Sequence, residues 1–131
     1  MTGRALVAAG LLAAAGVRHV AVVRAAEPGR GAVLFERCAA CHALEADAAS
    51  RPGPSLKGLF GRRAATAPGF DYSPALRRAG QQDGLVWDEV TLDAFLADPA
   101  DLVRGTWMGE VGLGDPADRA ALIAFLRDAA R

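Results

Sequence analysis

The sequence predicts an all-α domain joined by long loops. Ser73-Pro74 and Asp115-Pro116 each set a capping side chain before a proline at the first helical position. Apolar residues recur at helical spacing within 29–41, 87–97 and 116–129. No run of any length alternates apolar with polar residues as a half-buried strand would.

Taken in order, the first helix covers 29–41, where Gly31, Ala32, Leu34, Phe35 and Cys38 form one stripe. Residues 43–71 hold Pro52, Gly53, Pro54, Gly58, Gly61, Pro68 and Gly69, which predicts turns rather than regular structure. A loop of that length in a compact domain is functional or wraps something. A short helix begins at Ser73-Pro74 and is expected to stop at Gly80; Asp83-Gly84 then marks a turn. The next helix is expected over 87–97, with Trp87, Val90, Leu92, Phe95 and Leu96 mostly on one side and Asp98-Pro99 ending it. The last helix is capped by Asp115, with Pro116 at N1 and Asp118 at N3. Its buried stripe is Ala121, Leu122, Phe125, Leu126 and Ala129.

The 131 residues suffice for one small domain. Fifteen basic residues balance fifteen acidic ones, so composition gives no support to a nucleic-acid binder. Two cysteines exclude a disulfide-dense scaffold. With only 6% aromatic residues, something besides aromatic side chains must help to fill the core.

The first residues read as an address. Arg4 precedes an apolar run over 5–17, with Arg18-His19 after it and small residues near Ala25. That is the pattern of a secretory signal peptide over residues 1–25, leaving 26–131 as the domain. The competing reading is an uncleaved membrane tether over residues 1–26. The run is short of the roughly 20 residues a spanning helix needs, and extending it would bury Arg18 and His19. Cleavage would remove Met1 and His19, and the loss of Arg4, Arg18 and Arg24 would turn the balanced chain acidic. It implies export to the periplasm.

Cys38-Ala39-Ala40-Cys41-His42 is C-x-x-C-H, the attachment signature of haem c. Residues three apart share a helix face, so both thiols can add to the two vinyls of one haem. His42 then offers its imidazole to the iron. A redox C-x-x-C would want a β-α-β setting, and a zinc site needs more ligands than the exported chain holds. Met108 is the one methionine left after cleavage and lies in the glycine-rich stretch Gly105–Gly112, without helical period. It is the expected sixth ligand, since methionine thioether is common in electron-transfer haems. A haem between helices and loops also supplies the apolar volume that the composition lacks.

These residues resemble a class I c-type cytochrome of the soluble mitochondrial and bacterial type. The likeness runs from about Gly31 to Leu126. It is carried by the C-x-x-C-H motif, by Gly53–Arg62 and Ala67–Ser73, by Trp87–Leu96, by Gly105-Thr106-Trp107-Met108 and by Leu122–Leu126. It implies short helices and long loops wrapped around one covalent haem. In the family, the position of Pro54 accepts a hydrogen bond from the ligand histidine. Those of Arg62, Tyr72, Trp87 and Thr106 serve the haem propionates, and Leu56 and Leu96 pack on the haem faces. Gly31 would let the first and last helices cross closely, with Phe125 against it.

The chain also departs from that pattern. Phe95 stands where the family usually has a tyrosine whose hydroxyl touches the methionine sulfur. Leu76 holds a place often polar, Arg104 replaces a proline before the ligand loop, and the turn at 81–84 is lengthened. Mitochondrial relatives ring the haem edge with lysines. Here Ala100, Asp101 and Trp107 occupy such places, and Arg37 and Lys57 keep some positive charge. The resemblance implies a monomeric, periplasmic one-electron carrier, not an enzyme. Its partners would be redox proteins, a membrane or periplasmic oxidoreductase or oxidase, docked through Trp107 more than through charge. The rival expectation is a haem enzyme, or a sensor of gas or peroxide, with a labile Met108.

Overall fold

The computed structural model describes residues 29–46, 51–109 and 111–131. The expected leader, residues 1–25, lies outside the described residues. Five helices follow one another: α1 (Arg30–Ala39), α2 (Pro74–Gln81), α3 (Glu89–Ala97), α4 (Pro99–Leu102) and α5 (Pro116–Ala129). Among the described residues the only extended pairing is an isolated antiparallel bridge between Arg63 and Val86. The all-α expectation holds, and none of the described helices is long and apolar enough to cross a membrane.

Sequence-local chemistry explains the helix starts. The Ser73 hydroxyl accepts from the Leu76 amide at 3.1 Å. The Asp115 carboxylate accepts from Ala117 at 2.8 Å, with Pro116 filling the first position, where no amide is needed. At α3 the cap is reciprocal. Asp88 accepts from the Thr91 amide at 2.8 Å, and the Thr91 hydroxyl accepts from the Asp88 amide at 2.9 Å.

Three expectations are corrected. Helix α3 begins at Glu89, so Trp87 lies outside it and is paired to the 61–62 strand-like segment: its amide donates to Arg62 O at 2.9 Å, and its carbonyl accepts from Gly61 at 2.8 Å. Val90 therefore falls in the first turn on the solvent side, 78% exposed, instead of sharing the buried stripe. Gly80 does not stop α2 but lies within it, because a Cβ there would strike the Ala64 carbonyl. Asp98-Pro99 does end α3, but the same Asp98 carboxylate then accepts from Ala100 and Asp101 and opens α4, a helix not expected from the sequence.

The core is where α1 and α3 pack against α5. Leu122 is fully buried at its centre, with Phe35, Leu92, Phe95, Leu96, Ile123 and Leu126 around it. Helices α1 and α5 approach so closely at Gly31 that a Cβ would meet the Phe125 Cβ at 2.5 Å and the Ala121 carbonyl. The Phe35 and Phe125 rings sit 5.4 Å apart beside this crossing. Within the expected α5 stripe, Ala121, Leu122 and Leu126 are buried, whereas Phe125 and Ala129 are half-buried at the edge. Arg119 is buried as well, and composition alone gave no sign of it.

Two predictions follow from this packing. Gly31→Ala forces the crossing apart and is expected to destabilise the protein by about 1–3 kcal/mol in guanidinium unfolding. The hydrogen bonds from the Thr91 amide, and then from its hydroxyl, hold the Asp88 carboxyl below its ordinary value. A group depressed in this way stabilises the fold above its unfolded pKa, and that contribution is lost as pH falls through the folded value. Asp88→Asn should therefore lower Tm at neutral pH, with the gap to the parent closing in acid; a gap constant with pH contradicts this.

Candidate functional site

Helix α1 ends at Ala39, so Cys38 is in its last turn and Cys41 and His42 follow in a tightening turn. The His42 and Cys41 amides both return to the Cys38 carbonyl, at 2.8 and 3.0 Å. Neither cysteine is in a disulfide; Cys38 is half-buried and Cys41 exposed. Burial pushes the Cys38 thiol up from its ordinary value, against the opposing pull of Arg37.

The backbone around His42 is laced to the following loop. Gly53 donates to Cys41 O at 2.9 Å and Leu56 to Ala43 O at 2.8 Å. The Arg51 guanidinium donates to the Ala39 carbonyl and, at 3.4 Å, to that of His42. Gly53 lies directly under the imidazole: a Cβ would meet its Cε1 at 2.6 Å. The His42 Nδ1 is 2.8 Å from the Pro54 carbonyl oxygen. A carbonyl only accepts, so Nδ1 carries a proton, and in the neutral ring Nε2 then keeps its lone pair. Burial lowers the His42 pKa, with the Pro54 bond opposing. Burial thus favours the neutral ring, and the Pro54 bond selects the tautomer with an unprotonated Nε2, the form that binds metal.

Arg62 lies behind this loop. Its Nη1 donates to Lys57 O at 2.7 Å and its Nη2 to Ser55 O at 3.0 Å. Its Nε is buried without a partner. The Tyr72 hydroxyl accepts the Ala67 amide at 3.1 Å and retains its own proton to donate. Burial raises the Tyr72 pKa, and the nearby Arg62 opposes that shift. The Trp87 ring packs on Phe95 with centroids 5.0 Å apart. Leu96 is buried and Leu56 half-buried.

Met108 is half-buried and packs against the core, in the loop between α4 and α5. Its amide is 3.4 Å from the Thr106 hydroxyl, so Thr106 braces the loop from within. Trp107 beside it is 67% exposed. The structure thus gathers His42, Pro54, Leu56 and Arg62 around one loop. It sets Tyr72 near Arg62, and Trp87, Leu96 and Met108 against the shared core. The sequence reading missed Arg51, which bonds the carbonyls at the end of α1, and Arg119, which reaches the Met108 loop from α5.

These residues fit a haem. Two thiols flank a helix end at the spacing its vinyls need, an imidazole nitrogen is available for iron, and the Arg62 Nε is a buried donor left for an anion. Residues 28–130 match the family Cytochrome c. The cytochrome c2 of Rhodomicrobium vannielii is 40% identical over 116 residues, 88% of this chain and 90% of the relative. The cytochrome c2 iso-2 of Magnetospirillum fulvum is 45% identical over 71% of this chain and 92% of its own. Among solved structures, cytochrome cH from Methylobacterium extorquens superposes with a TM-score of 0.68 at 38% identity, covering 76% of this chain and 96% of that one. The chain belongs to the cytochrome c family, whose members carry one covalent haem c, and Cys38 and Cys41 stand at its attachment positions.

Proposed function

We propose that this chain is an exported, periplasmic one-electron carrier whose haem iron is held between His42 and Met108. The observation that carries the reading is the hydrogen bond from His42 Nδ1 to Pro54 O, which fixes the tautomer and aims Nε2 outward. Bound haem supplies a single iron that cycles between ferrous and ferric states. The chain's own residues do the rest. Cys38 and Cys41 tether the group, His42 donates a ring nitrogen, and Met108 donates its sulfur. The free Arg62 Nε and the Tyr72 proton are the donors that meet haem carboxylates; Trp87 and Thr106 complete that set. Leu56 and Leu96 exclude water from the faces. Export rests on the leader pattern over residues 1–25.

Phe95 favours the sensor or enzyme reading on one point only: a buried phenyl against Trp87 has no hydroxyl to hold the sulfur. Spectra of the matured protein separate the two. The ferric form is expected to show the weak thioether–iron band at the red end, and Met108→Ala to abolish it. The parent ferrous protein should reject carbon monoxide at neutral pH, and the variant should bind it. A parent that lacks the band and takes up carbon monoxide would belong with the enzymes or sensors.

Partner docking is assigned to the exposed face of Trp107, next to the iron's sulfur ligand, with redox proteins as the partners and a monomer as the working form. An aromatic anchor is commonly worth about 2 kcal/mol or more. Trp107→Ala is therefore expected to slow electron transfer to the native oxidoreductase at low and high salt alike. Rates unchanged across the salt range refute the assignment.

A further inference from the structure

The loop bearing Met108 has little backbone structure of its own. Among the described residues, nothing from Trp107 to Gly114 makes a backbone–backbone hydrogen bond. Its N-terminal side is tied by Thr106 N to Val103 O at 3.0 Å, and by the Thr106 hydroxyl. Its C-terminal side is held by arginine side chains. Arg119 Nη1 donates to Leu113 O at 2.9 Å and to Gly114 O at 3.1 Å. Arg37 Nη2 donates to Val111 O at 3.1 Å, but in an exposed setting.

Arg119 is the firmer of the two. It is only 9% exposed, and its Nε donates to Asp93 on α3 at 2.7 Å. One guanidinium thus joins α5, α3 and the loop. Its planar fork holds several acceptors in fixed directions, which a lysine cannot reproduce. Asp93 lies two and three residues before Phe95 and Leu96, so the brace is anchored in a helix that contributes to the same core against which Met108 packs.

We infer that Arg119, braced by Asp93, is the positioning residue of Met108: it fixes the C-terminal half of the ligand loop and sets how readily the sulfur yields the iron to another ligand. This rests on the proposed His42/Met108 ligation. It differs from a general stabilising role because the carbonyls it holds belong to the ligand loop.

The test titrates ferric holoprotein with imidazole, following loss of the thioether–iron band, with guanidinium unfolding run in parallel. Arg119→Gln is expected to raise imidazole affinity roughly tenfold, the lower end of what removing an outer partner of a metal ligand does. Arg119→Lys should recover only part of that, and Asp93→Asn should show a smaller gain than Arg119→Gln. Gly31→Ala strains a crossing whose contacts are Ala121 and Phe125, not loop residues, and should leave the affinity at the parent value despite lost stability. If the Arg119→Gln gain is no greater than that of Gly31→Ala, Arg119 is a structural residue and the inference fails. Should Arg119→Gln not fold, Asp93→Asn decides: parent-like affinity overturns the inference, and a gain supports it. A parent without the band overturns Met108 ligation itself, and this inference with it. A parent that shows the band beside unresponsive variants confines the failure to Arg119.

Discussion

The hydrogen bond between His42 and the Pro54 carbonyl is the constraint on which the site depends. It sits between two backbone rungs, Cys41–Gly53 and Ala43–Leu56, which hold the accepting carbonyl in place, so the imidazole cannot turn without giving up that bond. The close seat of Gly53 under the ring leaves no room for a side chain there. These contacts convert the flexible end of a ten-residue helix into a fixed direction for Nε2. A half-buried imidazole with no acceptor would instead lose the solvation of its N–H, and nothing would select its tautomer.

The Met108 loop, the other half of the proposed site, is built on another principle. Backbone pairs hold His42, whereas side chains hold the Met108 loop: Thr106 from within, Arg37 from α1, Arg119 from α5. A segment without a ladder can present one side chain inward and its neighbour outward, as Met108 and Trp107 do. Its local stability is then set by a few discrete contacts, so the loop is the element of the site with least backbone resistance to opening. Arg37 and Arg119 reach the loop from α1 and α5, two helices that pack on one another.

Legibility in the sequence followed the range of the interaction. Ser73-Pro74 and Asp115-Pro116 were readable because a cap and its amide lie within three residues. The C-x-x-C-H motif and the Gly31 crossing were readable for related reasons, one local and one carried by family resemblance. Helix α4 was not, because Asp98 is at once the last cap of α3 and the first of α4, and a stop signal hides a start. Val90 was misplaced because the helix begins two residues later than its apolar pattern suggests; Trp87 is held outside by bonds to the distant residues 61 and 62. Arg119 left no trace, since an arginine in the first turn of a helix looks solvated until Asp93 and the carbonyls of Leu113 and Gly114 converge on it.

Arg62 ties the site's chemistry to its folding. Burial lowers its pKa, yet guanidinium stays charged over the whole physiological range. Two of its nitrogens are spent on the carbonyls of Lys57 and Ser55, and its Nε faces inward with no acceptor. An unsatisfied buried donor costs roughly 1–3 kcal/mol, more where the group is charged. Among the described residues none answers this demand at Nε. In the proposed assignment, a covalent group that brings carboxylates would remove that penalty. On that reading attachment and folding are one thermodynamic problem, in which the thioethers would make permanent the partner proposed for the Arg62 Nε.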